Sequence, residues 1–127
     1  MITRQDILDY VNREFGTEPE YLWAKFPEYA VLRHRGSGKW YGIVMNIPKE
    51  KAGLNESGSV DVIDVKCDPV LIGSLLQTSG YFPAYHMNKS GWIGIRLDGS
   101  VPEKDIFYLI GSSYEIVRPK PKASKKR

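Results

Sequence analysis

Hydrophobic side chains recur along this chain with two distinct periods, one typical of helices and one typical of strands. Apolar residues spaced by three or four positions predict three helices, between Thr3 and Gly16, between Asp68 and Gly80, and between Ser100 and Tyr114. Runs rich in β-branched and aromatic residues predict five strands, at 20–23, 29–35, 39–47, 60–67 and 91–97. The predicted order is therefore α-β-β-β-β-α-β-α.

Polar residues at the predicted helix ends support these assignments. Thr3 can cap the first helix, and Gly16 follows its last apolar residue. Asp68 and Pro69 open the second helix, where a capping side chain and a residue without a free N–H are favoured. Ser100-Val101-Pro102-Glu103 has the capping-box pattern before the third helix.

This order predicts an α+β fold in which an antiparallel sheet carries all helices on one face. The other face would then be open to water. Because side chains alternate along a strand, Cys67 is expected in the core, whereas Lys66 points to the open face. The same alternation turns Trp92 and Arg96 outward.

Charge is divided unevenly between a folded body and a tail. The chain has 127 residues and a formal net charge of +3. Residues 1–117, which we expect to form a single domain, hold 12 basic and 15 acidic residues, hence −3. Residues 118–127 hold six basic residues and no acid, which predicts a disordered basic tail. Nucleic-acid binding by the body would therefore depend on local patches.

Several classes of protein are excluded by what the sequence lacks. It contains no apolar run long enough to span a membrane and begins with a polar segment unlike a signal peptide. Its single cysteine, Cys67, excludes an internal disulfide, so we expect a cytoplasmic protein. The spacing of His34 and His86 is not that of metal ligands. No glycine-rich loop of the kind that binds phosphate precedes a helix. We expect no metal, no cofactor and no catalytic residues.

Aromatic and polar side chains are densest between Gly80 and Trp92, a segment that we call the central loop. Three interpretations are open. The loop is structural, it binds nucleic acid, or it walls a small-ligand pocket. For either binding role, the candidate residues are Lys66, Tyr85, His86, Asn88, Lys89, Trp92 and Arg96.

A second candidate surface is the tip of the predicted hairpin. Gly36-Ser37-Gly38 joins its strands, and Arg33, Arg35 and Lys39 cluster around this turn. Such charges are commonly solvated and protect sheet edges from aggregation. The alternative is a wing that contacts a phosphate backbone.

The segment from Gly80 through Asn88-Lys89 to Trp92-Ile93 resembles the hallmark of the MmcQ/YjbR-like family. Val65-Lys66-Cys67-Asp68-Pro69 and Asp98-Gly99-Ser100-Val101-Pro102 are similar to that family's strand–helix junction and following turn. The resemblance implies a frataxin-like α+β fold and a proposed DNA-binding role through two wing-like projections. The positions that it carries over are Lys66, His86, Asn88, Lys89 and Trp92.

Two functional hypotheses follow. The first is a small, non-enzymatic, cytoplasmic protein that binds DNA through the hairpin tip, the central loop and the basic tail. The alternative is a module that binds a small molecule in a pocket between the central loop and the open sheet face. Neither hypothesis involves a membrane, and neither specifies an oligomeric state.

Overall fold

The computed structural model describes residues 1–120. Its helices are α1 (Arg4–Phe15), α2 (Pro69–Leu75) and α3 (Glu103–Ile116). Its strands are β1 (Ala30–Arg33), β2 (Trp40–Pro48), β3 (Ser59–Lys66), β4 (Tyr81–Pro83) and β5 (Trp92–Arg96). A short 3-10 turn, Lys49–Ala52, follows β2.

The five strands form one antiparallel sheet in the order β1-β2-β3-β5-β4. The three helices contribute their apolar residues to a single core on one face of this sheet. The predicted α+β class, with helices on one face of an antiparallel sheet, is confirmed. Within the described residues, no helix is long and apolar enough to cross a membrane.

Two segments differ from the predicted strands. Residues 20–23 contribute only a single bridge, in which Glu20 and Val31 exchange backbone hydrogen bonds of 3.0 and 2.9 Å. The chain then leaves the sheet as an exposed segment, 21–28, which contains Pro27, a residue without a backbone N–H. Conversely, the start of the central loop forms the short edge strand β4, which no sequence pattern indicated.

Two of the three helices begin with the side-chain caps that the sequence predicts, and the third does not. Thr3 and Asp6 form a complete capping box at α1, and Gly16 ends that helix with a φ of 67°. The Asp68 side chain caps α2. The capping box expected at α3 is wrong, because Ser100 donates its hydroxyl to Asp98 instead and Pro102 precedes the helix without a side-chain cap.

The second face of the sheet is not open to water, contrary to the prediction. The 3-10 turn and the central loop fold over it and enclose a second apolar cluster, whose buried members are Tyr29, Val31, Ile43, Met45, Ile47, Ala52, Val62 and Phe82. Gly94 permits this cover, since a Cβ at that position would lie 2.4 Å from ring carbons of Phe82. The absence of a side chain on Gly94 therefore lets the Phe82 ring lie directly on β5.

Only the first residues of the predicted basic tail are described. Arg118 forms an exposed ion pair with Glu115, at 3.2 Å, just after α3 ends. Residues 121–127, on which most of the prediction of a disordered tail falls, lie outside the described residues.

Candidate functional site: an aromatic pocket on the covered sheet face

A pocket of about 310 Å³ lies on the second sheet face, between the central loop and the hairpin of β1 and β2. Its walls come from three parts of the chain. The residues that line it are Trp23, Phe26, Tyr29, Trp40, Ile43, His86 and Met87. The exposed segment 21–28 thus supplies one wall, the hairpin supplies the second, and the central loop supplies the third. We call this site the aromatic pocket.

Trp23 stands nearly at right angles to two other rings of the aromatic pocket. Trp23 meets Tyr29 at 77°, with centroids 6.0 Å apart, and meets Trp40 at 84° and 5.9 Å. Phe26 stacks on Tyr29 at 4.6 Å and 12°. Each edge-to-face or stacked pair of this kind stabilises a protein by about 0.5–1.5 kcal/mol in addition to the contribution of the buried area. The aromatic walls therefore support one another without a ligand.

An irregularity in the hairpin places Trp40 in this wall. Leu32 pairs with Gly42, but the next residue, Arg33, pairs with Trp40, so that Tyr41 is left without a partner on β1. Such a bulge changes the face to which a side chain points. Tyr41 is buried on the helix side, where burial raises the pKa of its phenol and the hydroxyl pairs with Thr17. Trp40 is left on the pocket side.

His86, in the central loop, forms part of the third wall of the pocket, and its backbone conformation is strained. Among the described residues it is the one non-glycine residue with a positive φ, 72°. This conformation costs about 1–3 kcal/mol and is concentrated at functional sites. The imidazole lies 3.9 Å from the Tyr85 ring and 6.0 Å from the Tyr29 ring, measured between centroids. The backbone thus holds an exposed histidine against the aromatic wall.

Asp64 is fully buried on the same sheet face, next to the pocket. It pairs with the pocket residue Ile43 on β2 and with Gly94 on β5. Neither carboxylate oxygen has a hydrogen-bond partner among the described residues. Burial raises the pKa of Asp64 to about 8, although the positive charge of Lys89 opposes this shift. Asp64 also contributes to the raised pKa of the Tyr29 phenol, after burial, Tyr85 and Glu28.

A shallower pocket of about 330 Å³ adjoins the aromatic pocket and shares Trp40 and Met87 with it. Lys39, Lys66 and Trp92 line this second pocket. The Lys66 ammonium lies 5.6 Å from the centroid of the Trp92 ring, a cation–π contact. We call this site the lysine pocket.

The comparisons with known proteins agree with one another on a family. Residues 15–116 match the family model described as YjbR. The chain belongs to the YjbR family. It is 42% identical over 118 residues to the uncharacterised protein YyaQ of Bacillus subtilis, covering 93% of this chain and all of that protein. It is 39% identical over 65 residues to the uncharacterised YjbR protein of Escherichia coli, covering 50% of this chain and 55% of that one.

Solved structures of similar proteins carry the same fold. A crystal structure of a Pseudomonas syringae protein has a TM-score of 0.89 and 46% identity, and covers 92% of this chain and all of its own. A Deinococcus radiodurans protein, described as a DUF419 domain, has a TM-score of 0.75 at 23% identity and covers 98% of this chain and 86% of its own. The second likeness shows the fold alone.

The motif that carries the family resemblance is divided between the two pockets. His86 lines the aromatic pocket, whereas Lys66 and Trp92 line the lysine pocket. Asn88 accepts hydrogen bonds from the backbone N–H and hydroxyl of Ser90, which orders the turn before β5. Lys89 is exposed. These residues of the YjbR-family chain therefore do not converge on a single point.

Tyr85 and Arg96 have structural contacts that sequence reasoning did not anticipate. Tyr85 is half-buried against the second apolar cluster, with the Lys51 ammonium 5.8 Å from its ring centroid. Arg96 is only 8% exposed, and it donates to the Ala52 carbonyl at 2.9 Å and to Asp98 at 3.0 Å. The expectation that Arg96 points into water is wrong, because the 3-10 turn covers it and supplies the buried Ala52 carbonyl as a partner.

The hairpin tip is also held by internal contacts. Arg33 makes two hydrogen bonds to the Glu20 carboxylate, at 3.0 and 2.9 Å, and one to the Gly38 carbonyl. His34 is buried, stacks on Tyr114 at 4.1 Å and accepts hydrogen bonds from the turn. Arg35 and Lys39 remain exposed, and Lys39 alone of the tip cations lines the lysine pocket.

A reactive thiol and a metal site are two further possibilities, and the described residues support neither. Cys67 is buried, and burial raises the pKa of its thiol, which disfavours the nucleophilic thiolate. Within residues 1–120, no group of three or more histidine, cysteine or acidic side chains could hold a metal ion.

Sequence reasoning missed Trp23, Phe26 and Asp64. Trp23 falls in the predicted strand 20–23 and Phe26 in no predicted element, and no sequence pattern places either ring against the hairpin. For Asp64, the signal was a carboxylate between β-branched residues in a central strand, where a charge is costly.

Proposed function

We propose that this protein is a non-catalytic binding protein for a small organic molecule, which it holds in the aromatic pocket. The observation that carries the proposal is the arrangement of Trp23, Tyr29 and Trp40 at near right angles around one concavity. Ligand sites are usually preformed, concave and largely apolar, with a few polar groups at the edge. His86 is such a polar group here.

The size of the site favours a small ligand. Its volume of about 310 Å³ lies near the lower end of the range of roughly 300–1,000 Å³ for ligand pockets. The apolar walls bury ligand surface, and the backbone already holds the strained His86 in place at the edge. The walls and His86 therefore lose little conformational entropy when a ligand binds. A metabolite or one group of a larger molecule would fit this space.

A screen by nuclear magnetic resonance tests the proposal. Mixtures of metabolites would be added to the labelled full chain, and any hit would be titrated against Trp23→Ala. Its matched control is Tyr108→Ala, which removes an exposed ring from α3, on the helix side. We expect Trp23→Ala to weaken a hit at least tenfold and Tyr108→Ala to leave it unchanged. Equal effects of the two substitutions would overturn the proposal.

DNA binding is the second candidate, and one observation favours it. Lys39 and Lys66 line the same shallow pocket, and within residues 1–120 neither forms an ion pair. Two such ammonium groups beside Trp92 suit a phosphate and a stacked base or sugar. In this form of the hypothesis the lysine pocket and the tail bind the DNA, and Lys39 is the one hairpin-tip cation that takes part, since Arg33 is already paired.

The salt dependence of duplex DNA binding tests this second candidate. If all six tail cations contact phosphates, they should contribute about −5 to the log–log slope of the full chain, and Lys39 and Lys66 should add about −2. Lys39→Gln with Lys66→Gln should then make the total slope less steep by about 2. An unchanged slope in the double variant would mean that the lysine pocket contacts no phosphate.

A further inference from the structure

We propose that the ligand of the aromatic pocket is a small organic cation, a quaternary or alkylated ammonium ion, bound against the faces of the pocket rings. This inference rests on the binding function proposed above and names the chemical class of its ligand. It is carried by the ring geometry, by the distribution of positive charge around the pocket, and by the buried carboxylate beside it.

The ring geometry is that of a cage. A cation within about 6 Å of an aromatic centroid is attracted to the negative face of the ring, most strongly for tryptophan. Trp23 stands nearly perpendicular to both Tyr29 and Trp40, and all three line one volume. Three rings in this relation enclose one space from more than one direction. An alkylated ammonium ion suits such walls, because it carries charge without needing several hydrogen-bond acceptors.

The cation–π contacts of the described residues use rings outside the aromatic pocket. In the described residues, the cation–π contacts pair Lys51 with Tyr85, Lys66 with Trp92 and Arg13 with Tyr10. None of them involves the four aromatic rings of the pocket. The seven residues that line the pocket include no lysine and no arginine. A cation in this space would therefore approach ring faces that no described cation of the chain already occupies.

The buried Asp64 provides the second, independent observation. Its carboxyl group lies on the pocket face, opposite the wall residue Ile43, and has no hydrogen-bond partner within residues 1–120. A buried carboxylate is normally paired or bonded, because an isolated charge in an apolar medium is costly. A bound cation would favour the ionised form of Asp64 through space, and Asp64 would in turn strengthen cation binding.

This coupling predicts that the affinity for a permanently charged cation rises with pH. In the free protein burial raises the pKa of Asp64 to about 8, and a cation lowers it, so binding releases a proton. The charged or titratable groups on this sheet face and in the segments that cover it include Tyr21, Lys25, Glu28, Tyr29, Lys51, Lys66, Tyr85, His86, Lys89 and Arg96. Asp64→Asn removes the contribution of Asp64 and leaves those of the other groups.

The test is a titration of the full chain with choline, monitored by nuclear magnetic resonance and calorimetry. The matched control ligand is the carbon isostere of choline, in which an uncharged tert-butyl group replaces trimethylammonium. We expect choline to shift pocket resonances and to bind at least tenfold more tightly than the isostere. Trp23→Leu, which keeps an apolar side chain at an exposed site but removes the ring, should weaken choline at least fivefold and leave the isostere within twofold.

The possible outcomes separate this inference from the proposed function. Equal affinity for choline and its isostere would overturn the inference that the ligand is a cation, and it would leave the pocket as a binding site for a small molecule. No shift with choline, together with shifts of the same resonances by uncharged indole, would do the same. No pocket shift with choline, the isostere or indole would overturn both. An affinity for choline that rises between about pH 6 and pH 9, and rises less in Asp64→Asn, supports the role of the buried carboxyl.

Discussion

Asp64 lies directly opposite Ile43 across the β2–β3 pair, which places a fully buried carboxyl group beside the wall of the aromatic pocket. Its neighbour on the other side is Gly94, which has no side chain and is covered by the Phe82 ring. The middle strand of the sheet, β3, thus carries an acid at the point where the central loop covers the second face. This arrangement relates the stability of the domain to its candidate site.

The stability of the protein should fall as pH rises through the range in which Asp64 ionises. Burial raises its pKa from 3.8 in the unfolded chain to about 8 in the folded one, so the folded state binds more protons between these values. The stabilisation is complete below about pH 4, and it is lost at up to about 1.4 kcal/mol per pH unit as pH rises toward 8.

Asp64→Asn should remove most of this pH dependence, because an amide does not ionise. At about pH 8 we expect the variant to unfold at a higher denaturant concentration than the wild type, with a gain of up to about 5 kcal/mol. Denaturant unfolding at several pH values between 4 and 9 measures both effects. A wild-type stability that is flat over this range would contradict the assignment of a neutral buried carboxyl group.

Gly94→Ala should destabilise the domain by about 3 kcal/mol or more, because the new Cβ would overlap the Phe82 ring. Gly111→Ala is the matched control. It lies within α3 with nothing within 4 Å of the added Cβ, so it should stabilise the protein by about 0.5–1 kcal/mol. Thermal unfolding of the two variants checks this contrast. Similar changes in both would show that the loop does not pack on β5 as described.

His86→Gly should be more stable than His86→Ala by about 1 kcal/mol. Both substitutions remove the imidazole, but only glycine adopts a φ of 72° without strain. Chemical denaturation of the pair measures the difference. Equal stabilities would mean that His86 does not hold this conformation in solution. Both variants should also lose affinity for any ligand of the aromatic pocket, since the histidine forms part of its wall.

The helix-side half of the fold was predictable because its signals are local. Thr3 and Asp6 specify a capping box, Gly16 ends α1 and Asp68 caps α2 wherever the rest of the chain lies. Alternation in β3 assigned Cys67 to the core and Lys66 to the opposite face, as the register shows. These features depend on neighbours within a few residues, which a single sequence contains.

The pocket side depends on contacts between distant segments. β4 is three residues long and ends in a proline, so its pairing with β5 is set by the covering loop and not by strand propensity. The apolar residues on both faces of β2, from Trp40 to Ile47, were the one sequence signal that this strand is buried on both sides. The position of Trp23 and Phe26 against the hairpin had no such signal.

The most direct measurement follows the indole N–H resonances of the three tryptophans in the full chain as metabolites are added. Trp23 and Trp40 line the aromatic pocket, whereas Trp92 lines only the lysine pocket and provides an internal control. The proposed function predicts that a bound small molecule shifts the Trp23 and Trp40 resonances strongly and the Trp92 resonance little. A ligand that shifts Trp92 while leaving Trp23 unchanged would contradict it.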